Sequence, residues 1–384
     1  MTNIKRLTFP LICSAILAVI GLVFTACNND DPKPNSGSED KEQITDEIVY
    51  LAAEDLTEYG YLKDGVYYEL NHDKLTAKIT AVAGGVTTLT PPKSIIFNGN
   101  NYTMPTKFGS GYIHAPSVET LKLSARYTAI EPLSGFTALK RIVISKDNEN
   151  LKSSNGVVLS HDAKTLIYVP SSIPTPFSIP ASVTTIDNRA ITENLSIKQL
   201  TIPATVKYVN GSIWKNQFEK LIIESSDTHF SDECFARNEE LKEVVLPQGI
   251  TEINNALFSY CTDLETINFP EGLTSIGSTA FRSCDLSEVS LPSTLAHIGD
   301  NVFEGCNDLK KIYYKAATFK SGSNALNVAS LTEIHFTHRG EVTGLSATSF
   351  SNDIYNNCRL FIPKGYASAY AKEPFSLFKN VTEE

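Results

Sequence analysis

Seven cysteines give this chain its widest choice of chemistry, because a thiol can form a disulfide, bind a metal ion or act as a nucleophile. Three of them, Cys261, Cys284 and Cys306, follow one another at nearly equal spacing. Equivalent positions on stacked coils lie about 5 Å apart, but side chains that point the same way do not converge as a disulfide requires. No Cys-x-x-Cys pair offers a zinc site. We therefore predict a buried ladder of free thiols. The sequence leaves open whether Cys234 and Cys358 pair with anything.

Other residues with catalytic or metal-binding chemistry do not form a recognisable site. His335 and His338 are three residues apart, so on a strand their rings face opposite sides of the sheet. The chain has no Gly-x-Ser-x-Gly elbow, no His-Glu-x-x-His motif and no glycine-rich phosphate loop. The acidic segment 147–150 lacks the full ligand pattern of a calcium loop. We expect no catalytic residue, no metal ion, no cofactor and no enzymatic activity.

The first 26 residues have the features of a cleaved export signal. Lys5 and Arg6 precede an almost wholly apolar run over residues 7–26, which ends in small residues. About 20 apolar residues can also span a bilayer, and an uncleaved anchor stays open as an alternative. Against it, Pro10 interrupts the run and no Lys or Arg directly follows it as a stop-transfer flank. Residues 24–27, Phe-Thr-Ala-Cys, resemble a bacterial lipobox with Phe in place of the usual Leu.

The lipobox resemblance implies that residues 1–26 are a lipoprotein signal peptide and that Cys27 is the acylated first residue of the mature protein. Acyl chains on Cys27 would anchor the protein in a membrane without a spanning helix. Residues 27–47 are polar in composition, which predicts a flexible tether. The acidic pair Asp30-Asp31 is similar to export signals of lipoproteins on the outer face of the outer membrane. We therefore expect an outer-membrane, lipid-anchored, surface-exposed protein; the sequence leaves open which leaflet face the anchor occupies.

The three equally spaced cysteines belong to an internal repeat of 22–23 residues, in which an apolar-x-apolar-Pro segment precedes a bulky residue and Cys. A fixed period of this length is typical of a solenoid, whose coils contact only their neighbours. Each coil contains the unit apolar-x-x-apolar-x-apolar, with its fourth and sixth residues inward and its third and fifth outward. These units begin at Val118, Leu139, Ile197, Phe218, Leu241, Leu264, Leu286, Leu309 and Leu331. With a final strand they predict roughly ten coils.

The sequences that flank the repeat predict caps, because a solenoid must cover its exposed ends. Residues 48–117 are β-rich without a clean repeat and predict an N-terminal β cap, which includes a hairpin at Asn98-Gly99. Residues 118–357 form the predicted solenoid, interrupted by an inserted hairpin and strand over 146–176.

Residues 358–384 predict a C-terminal cap. A last strand occupies 359–363, a short helix 365–372, and Phe375, Phe378 and Val381 are expected to be apolar plugs. The predicted fold class is therefore a β-rich solenoid with a cap at each end.

The best-preserved copy, residues 264–284, reads LETINFPEGLTSIGSTAFRSC. It resembles the unit of the BspA-like leucine-rich repeat surface lipoprotein family, L-x-x-I-x-I-P-x-x-V-T-x-I-G-x-x-A-F-x-x-C. The resemblance covers about residues 90–384. It implies a right-handed leucine-rich repeat array and a role in adhesion or recognition, without a defined ligand. Ile191 and Trp214 replace the usual Phe in the early copies, which predicts less regular coils there.

The outward positions of the strand units are the candidate binding face, because a repeat array presents them as one regular surface. An ordinary solvated sheet face is the alternative. The candidate residues of the later coils are Thr266, Asn268, Glu288, Ser290, Lys311, Tyr313, Glu333 and His335.

The partner is expected to be an extracellular protein or glycan of unknown identity, and the leading function is adhesion to host or neighbouring-cell proteins. Without residues 1–26 the chain has 31 Lys and Arg against 43 Asp and Glu, a net charge of −12, which disfavours nucleic acid. The alternative is glycan binding for polysaccharide capture, for which Trp214, Tyr313 and Tyr314 should be exposed in a row. The sequence does not decide between protein and glycan, nor the oligomeric state.

Overall fold

The computed structural model describes residues 42–318, 320–326 and 328–384. The predicted signal peptide, Cys27 and residues 28–41 of the predicted tether lie outside these residues. Within them the chain is a β-solenoid of about 13 turns with little helix, and the leucine-rich repeat fold class is confirmed. The count exceeds the expected ten partly because parallel pairing already begins at Thr88, ahead of the first predicted unit. The predicted domain boundaries and caps stay predictions.

A seven-stranded sheet opens the described chain. One of its two-residue turns lies at Asn98-Gly99, where φ is +49° and +76°, as a hairpin of this twist requires. The strands on either side pair antiparallel, as the sequence predicted. In spatial order the strands are Ile48–Leu51, Ser94–Phe97, Asn100–Thr103, Thr76–Val82, Val66–Asn71, Gly60–Lys63 and Leu56–Thr57. The two outer strands leave their far edges unpaired within the described residues.

The main strands of successive coils pair in parallel within three sheets, and we name this set of three sheets the major ladder. Each of the nine predicted units contains one of its strands, beginning at the third residue of the unit. The strands are Thr88–Leu89, Thr120–Leu123 and Arg141–Ile144; then Gln199–Ile202, Lys220–Ile223, Glu243–Val245 and Thr266–Ile267; then Glu288–Leu291, Lys311–Tyr314, Glu333–Phe336, Arg359–Ile362 and Asn380–Glu383.

Alternation along these strands builds the core. In the strand Thr120–Leu123 the two leucines are fully buried, and Thr120 and Lys122, which alternate with them, are half-exposed. This is the two-residue period of a strand, one face of which is covered. Val143 departs from the pattern and is buried at an outward position, because its strand lies against the inserted hairpin, where Ile142 N–H donates to Gly156 O (2.9 Å).

Each coil also has a short second strand, and these form a second parallel set that we name the minor ladder. This ladder was not predicted from the sequence. Its signal in the sequence is the last two residues of the Val-Thr-x-Ile segment, which form the strand. Its strands are Lys107–Phe108 and Ala129–Ile130; then Thr165–Tyr168, Thr185–Ile186, Tyr208–Val209 and His229–Phe230; then Glu252–Ile253, Ser275–Ile276, His297–Ile298 and Lys320–Ser321.

The inserted segment contains the predicted hairpin, Leu151–Ser154 with Val157–Ser160, paired antiparallel. The second hairpin strand pairs antiparallel with Thr165–Tyr168, which in turn pairs in parallel with the minor strand at Thr185. The insertion therefore enters the solenoid through the minor ladder. The described hydrophobic residues form two clusters, and Val157 and Val158 contribute to different ones.

In the part of the chain that the structure describes, helix is confined to short segments. An α-helix spans Asn352–Asn357, where the Ser351 hydroxyl accepts from Ile354 N–H as an N-cap (3.4 Å). Three 3₁₀ helices lie at Ala53–Asp55, Ala367–Tyr370 and Phe375–Leu377.

The C-terminal plugs were predicted only in part. Phe375 and Phe378 are buried. Val381 is 50% exposed, so its assignment as a plug was wrong. It lies on a last strand, Asn380–Glu383, which pairs with Arg359–Ile362 at the edge of the major ladder and has nothing to cover its outer side among the described residues.

Candidate functional site

The thiol ladder is confirmed. Cys261, Cys284 and Cys306 are buried and free. Each Sγ donates to a carbonyl oxygen of the preceding coil, for example Cys261 to Phe235 O (3.2 Å). Burial raises the pKa of Cys261 and of Cys306 to about 12, because the apolar core disfavours the thiolate. These thiols are therefore unsuited to nucleophilic chemistry.

The other two described cysteines behave in the same way. Cys234 and Cys358 are free and buried, so neither forms a disulfide. Burial raises the pKa of Cys358 to about 12 and also raises the pKa of Cys234. No described cysteine has the depressed pKa of a reactive thiol.

A ladder of buried asparagines continues the thiol ladder toward the N-terminus and was missed in the sequence. Asn194, Asn216 and Asn238 precede Cys261 at steps of 22 to 23 residues and occupy the same position in the coil. The amide of Asn216 donates to Ile191 O (3.2 Å), just as each thiol donates to the coil before it. Leucine-rich repeats accept Asn or Cys at one position, and this equivalence was the available signal.

Asparagine does more at this position than cysteine, because its side chain also accepts. Asn216 Oδ1 accepts from the backbone N–H of Asn194 (2.9 Å), and Asn238 Oδ1 accepts from that of Asn216 (3.0 Å). The asparagines thus bond to the coils on both sides. Alignment of the coils on these asparagines also corrects one assignment. Ile213 is fully buried three residues before Asn216 and therefore occupies the position that is usually Phe. Trp214 is half-exposed beside it.

The turns that lead into Asn or Cys form the third side of the solenoid. Phe235, Phe258, Phe281 and Phe303 stack there with centroids 5.7–5.9 Å apart and nearly parallel planes. Every second backbone N–H donates to the next coil, as from Phe235 to Leu257 O (3.0 Å). We name the turns over residues 231–238, 254–261, 277–284 and 299–306 the plug turns.

Two residues of each plug turn adopt the left-handed conformation. Glu233 and Arg237 have φ of +59° and +61°, and Ala256 and Tyr260 have +50° and +60°. A side chain in this region costs about 1–2 kcal/mol. Because the hydrogen bonds to both neighbouring coils recur at each turn, the stack holds this conformation against that cost.

The outward face of the major ladder carries ordered charges. Lys220 pairs with Glu243 (2.7 Å) and Lys311 with Glu333 (2.9 Å), each between adjacent strands in register. The Lys311 ammonium, through its hydrogen bond and charge, lowers the pKa of Glu333. These pairs brace the side chains against one another along the ladder.

Three aromatic rings stack along the same face. The His335 centroid lies 4.4 Å from that of Tyr313 and 4.2 Å from that of Phe361. His335 also bonds through Nδ1 to Glu384 (2.7 Å) and through Nε2 to Glu333 (3.3 Å). These contacts leave His335 only 6% exposed. It occupies an outward position, as expected, but its neighbours cover it.

The remaining predicted face residues lie on or directly after the main strands of four consecutive coils. Thr266, Asn268, Glu288 and Ser290 are exposed. The Asn268 amide is nonetheless engaged, because Oδ1 accepts from Leu246 N–H (2.7 Å) and Nδ2 donates to Leu246 O (3.0 Å). Lys311, Tyr313 and Glu333 follow on the next strands and are half-exposed. The ladder therefore collects the predicted residues into one surface.

The aromatic row expected for glycan binding is not formed by the residues named for it. Tyr314 is 1% exposed and points into the core. Trp214 lies on the third side of the solenoid, away from Tyr313. In the described ranges no group of three or more His, Cys, Asp or Glu side chains is arranged to hold a metal ion. No helix of the described chain is long and apolar enough to cross a membrane.

The repeat pattern has a recognised counterpart. The family model of the BspA type leucine rich repeat region matches six copies, over residues 170–265 and 228–360. The chain belongs to the BspA-type leucine-rich repeat family. Repeat proteins of this family are generally not enzymes. No curated protein matches the sequence.

Solved structures similar to this BspA-type protein are themselves bacterial leucine-rich repeat proteins. One from Eubacterium ventriosum ATCC 27560 has a TM-score of 0.50 at 16% identity and covers 70% of this chain and 93% of its own. One from Bacteroides ovatus ATCC 8483 has a TM-score of 0.46 at 17% identity, with 82% and 81% covered. Only the first reaches 0.5, and at this identity it bears on the fold alone.

Proposed function

We propose that this BspA-type protein is a non-catalytic cell-surface binding protein whose major-ladder face adheres to a host or neighbouring-cell protein. The observation that carries the proposal is the bracing of that face by in-register pairs such as Lys311 with Glu333. A surface whose side chains are already ordered loses less conformational entropy on binding. Its charges and hydroxyls are of the kind found in the polar rim of protein interfaces, and its half-exposed tyrosine is of a type enriched in them.

Glycan binding is the weaker candidate on this face. Carbohydrate-binding surfaces need exposed ring faces, whereas His335 covers one face of Tyr313 and Tyr314 is buried. An extracellular protein partner therefore remains the proposal.

The binding experiment uses residues 28–384 on an array of extracellular-matrix proteins and glycans. For any protein ligand found, Glu288→Arg combined with Ser290→Arg is expected to weaken binding at least about tenfold by introducing charge and bulk at the centre of the face. The matched control is Glu252→Arg combined with Thr251→Arg, two exposed positions on the minor-ladder side. Binding to polysaccharide alone, or equal losses in both variants, would contradict the proposal.

The proposed anchor is the acylated Cys27 in the outer membrane. A Cys27→Ala variant is expected to move from the membrane fraction to the soluble fraction, because the acyl chains supply the anchoring energy. Protease treatment of intact cells then tests surface exposure, with a periplasmic protein as the control. Unchanged membrane fractionation of the variant would contradict lipid anchoring.

A further inference from the structure

Two adjoining clefts lie on the third side of the early coils. One, of about 330 Å³, is lined by the loops 109–113 and 131–136. The other, of about 340 Å³, is lined by residues of 132–137, 168–171, 192–195 and 215–217. Pro132, Leu133 and Ser134 line both, so the clefts meet at these residues. We name the pair the early-coil cleft.

In the early coils the cleft lies where the later coils have their plug turns. Its loops follow the minor strands that end at Phe108 and Ile130, which is where the plug turns begin in later coils. The loops 109–113 and 131–136 approach each other closely, since a Cβ on Gly135 would lie 1.9 Å from Ile113 O. The open space beside them is therefore bounded by fixed backbone.

The floor of the cleft is apolar. Leu133 and Tyr168 are almost fully buried beneath it, while Leu195 is 41% exposed at its side. Tyr112 is 68% exposed at the far end. Two exposed large apolar side chains along one cleft are unusual for a solvated loop region and are typical of a binding site.

The rim carries unsatisfied charge. Neither Glu131 nor Glu193 forms an ion pair with any described residue, and Glu193 lies close enough to help raise the pKa of Tyr168, which burial raises most. Lys215 also lines the cleft and keeps its positive charge, with Nζ 4.8 Å from the centroid of the Trp214 ring. The Trp214 indole N–H is buried without a hydrogen-bond partner in the described chain. With two carboxylates and one ammonium, the rim has a net negative charge.

The length of the cleft suits an extended chain. Backbone hydrogen bonds place its loops on consecutive coils, as where Leu195 N–H donates to Ser171 O (2.8 Å) and Gln217 N–H to Asn194 O (3.1 Å). Five loops at about 4.8 Å per coil span about 19 Å, the length of roughly six extended residues. We propose that the early-coil cleft binds an extended polypeptide segment of a partner protein that carries apolar side chains and at least one cationic side chain.

This site is separate from the major-ladder face, so either can fail without the other. The apolar side chains of the segment occupy the floor beside Leu195, and its cationic group lies between Glu131 and Glu193. This is the recognition of an extended peptide by pockets for alternate side chains.

The test uses residues 28–384 and a fluorescein-labelled hexapeptide of alternating valine and lysine, read by fluorescence anisotropy. A peptide with glutamate in place of lysine is the charge control. The lysine peptide is expected to bind at least tenfold more tightly. Leu195→Arg should abolish its binding and Glu193→Gln should weaken it severalfold, while Leu377→Arg, at an equally exposed leucine elsewhere, should not.

The conservative Glu193→Gln change keeps the test valid if Leu195→Arg disturbs folding. Equal binding of the two peptides, no binding of either, or unchanged binding by both cleft variants would overturn the proposal. Displacement of the lysine peptide by a neutral oligosaccharide, and not by excess unlabelled peptide, would overturn it in favour of a glycan site. Glu288→Arg with Ser290→Arg must leave peptide binding unchanged; a loss there would place the peptide on the major ladder.

Discussion

The coils over residues 231–306 and those over 109–217 solve the same packing problem in different ways. The later coils close the third side with stacked phenylalanines and buried thiols. Two of the early coils have isoleucine and asparagine at the equivalent positions, and an open cleft lies next to them. Stacked aromatic rings fill a turn from coil to coil, whereas glycine-rich loops of variable length do not.

The difference shows that regularity and binding potential are separated along this molecule. In the later coils internal contacts fill the third side, and the outward faces of the two ladders are left free to bind. In the early coils, asparagines that bond both neighbours maintain the stack while the loops around them diverge. Loops supported by a rigid framework are where binding sites commonly arise.

The largest expected contrast is between a plug and a cleft residue. Phe258→Ala removes a fully buried ring between two stacked neighbours and should destabilise the protein by about 3–5 kcal/mol, whereas Tyr112→Ala should change stability by less than about 0.5 kcal/mol. Guanidinium denaturation followed by circular dichroism measures both. Equal destabilisation by the two changes would remove the distinction between the regions.

The buried thiols of the later coils should make the stability of the protein depend on pH. Cys261 and Cys306 titrate near 9 when unfolded and about 12 when folded, so the folded state retains protons that the unfolded state loses. The stability they contribute is present below pH 9 and is lost as the pH rises toward 12. At pH 8 iodoacetamide should leave both unlabelled in the native protein and label both in guanidinium, as read by mass spectrometry. Labelling of native Cys306 would contradict the buried ladder.

The Asn and Cys rungs can be compared directly. Asn216→Ala leaves a buried N–H of Asn194 and a carbonyl of Ile191 without partners and should cost about 1–3 kcal/mol. Cys284→Ala loses one weak donor and a small volume and should cost about 1 kcal/mol. Asn216→Asp serves as the shape-matched control, since it keeps the acceptor and removes the donor. A larger loss at Cys284 would reverse the assigned roles.

The smallest expected effect lies on the major ladder. Lys220→Ala breaks the pair with Glu243, in which both side chains are more than one third exposed, and should cost less than about 1 kcal/mol. The loss should shrink in 0.5 M salt, because screening weakens an exposed pair. A salt-independent loss would indicate packing by the lysine stem instead.

The major ladder could be predicted because its two-residue alternation is written locally in each unit, such as Leu264 to Phe269. The minor ladder was missed, since two-residue strands such as Ser275–Ile276 have no periodicity of their own and form only against neighbouring coils. The asparagine ladder was missed because asparagine is common in turns and most such residues are exposed. The burial of these asparagines could be predicted only by aligning them with Cys261.

The candidate face was predicted in position but not in accessibility. The two-residue alternation predicted that His335 occupies an outward position. Its burial depends on Phe361 and Glu384, which lie 26 and 49 residues further along the chain. The early-coil cleft left no sequence signal beyond the departures from the usual Phe at Ile191 and Trp214. A cavity is the space that several loops fail to fill, and no single segment specifies it.

The equivalence of Asn and Cys also bears on how such an array changes length. Each of these side chains donates to the coil before it, about 25 residues back, whichever residue occupies the rung. Excision of the 23 residues from Cys261 to Ser283 brings Cys284 directly after Tyr260 and so restores a donor facing the turn at Phe235. A variant that lacks one whole coil should therefore fold with the same contacts at the new junction. Duplication or loss of single coils can then lengthen or shorten the protein without further changes at the junctions.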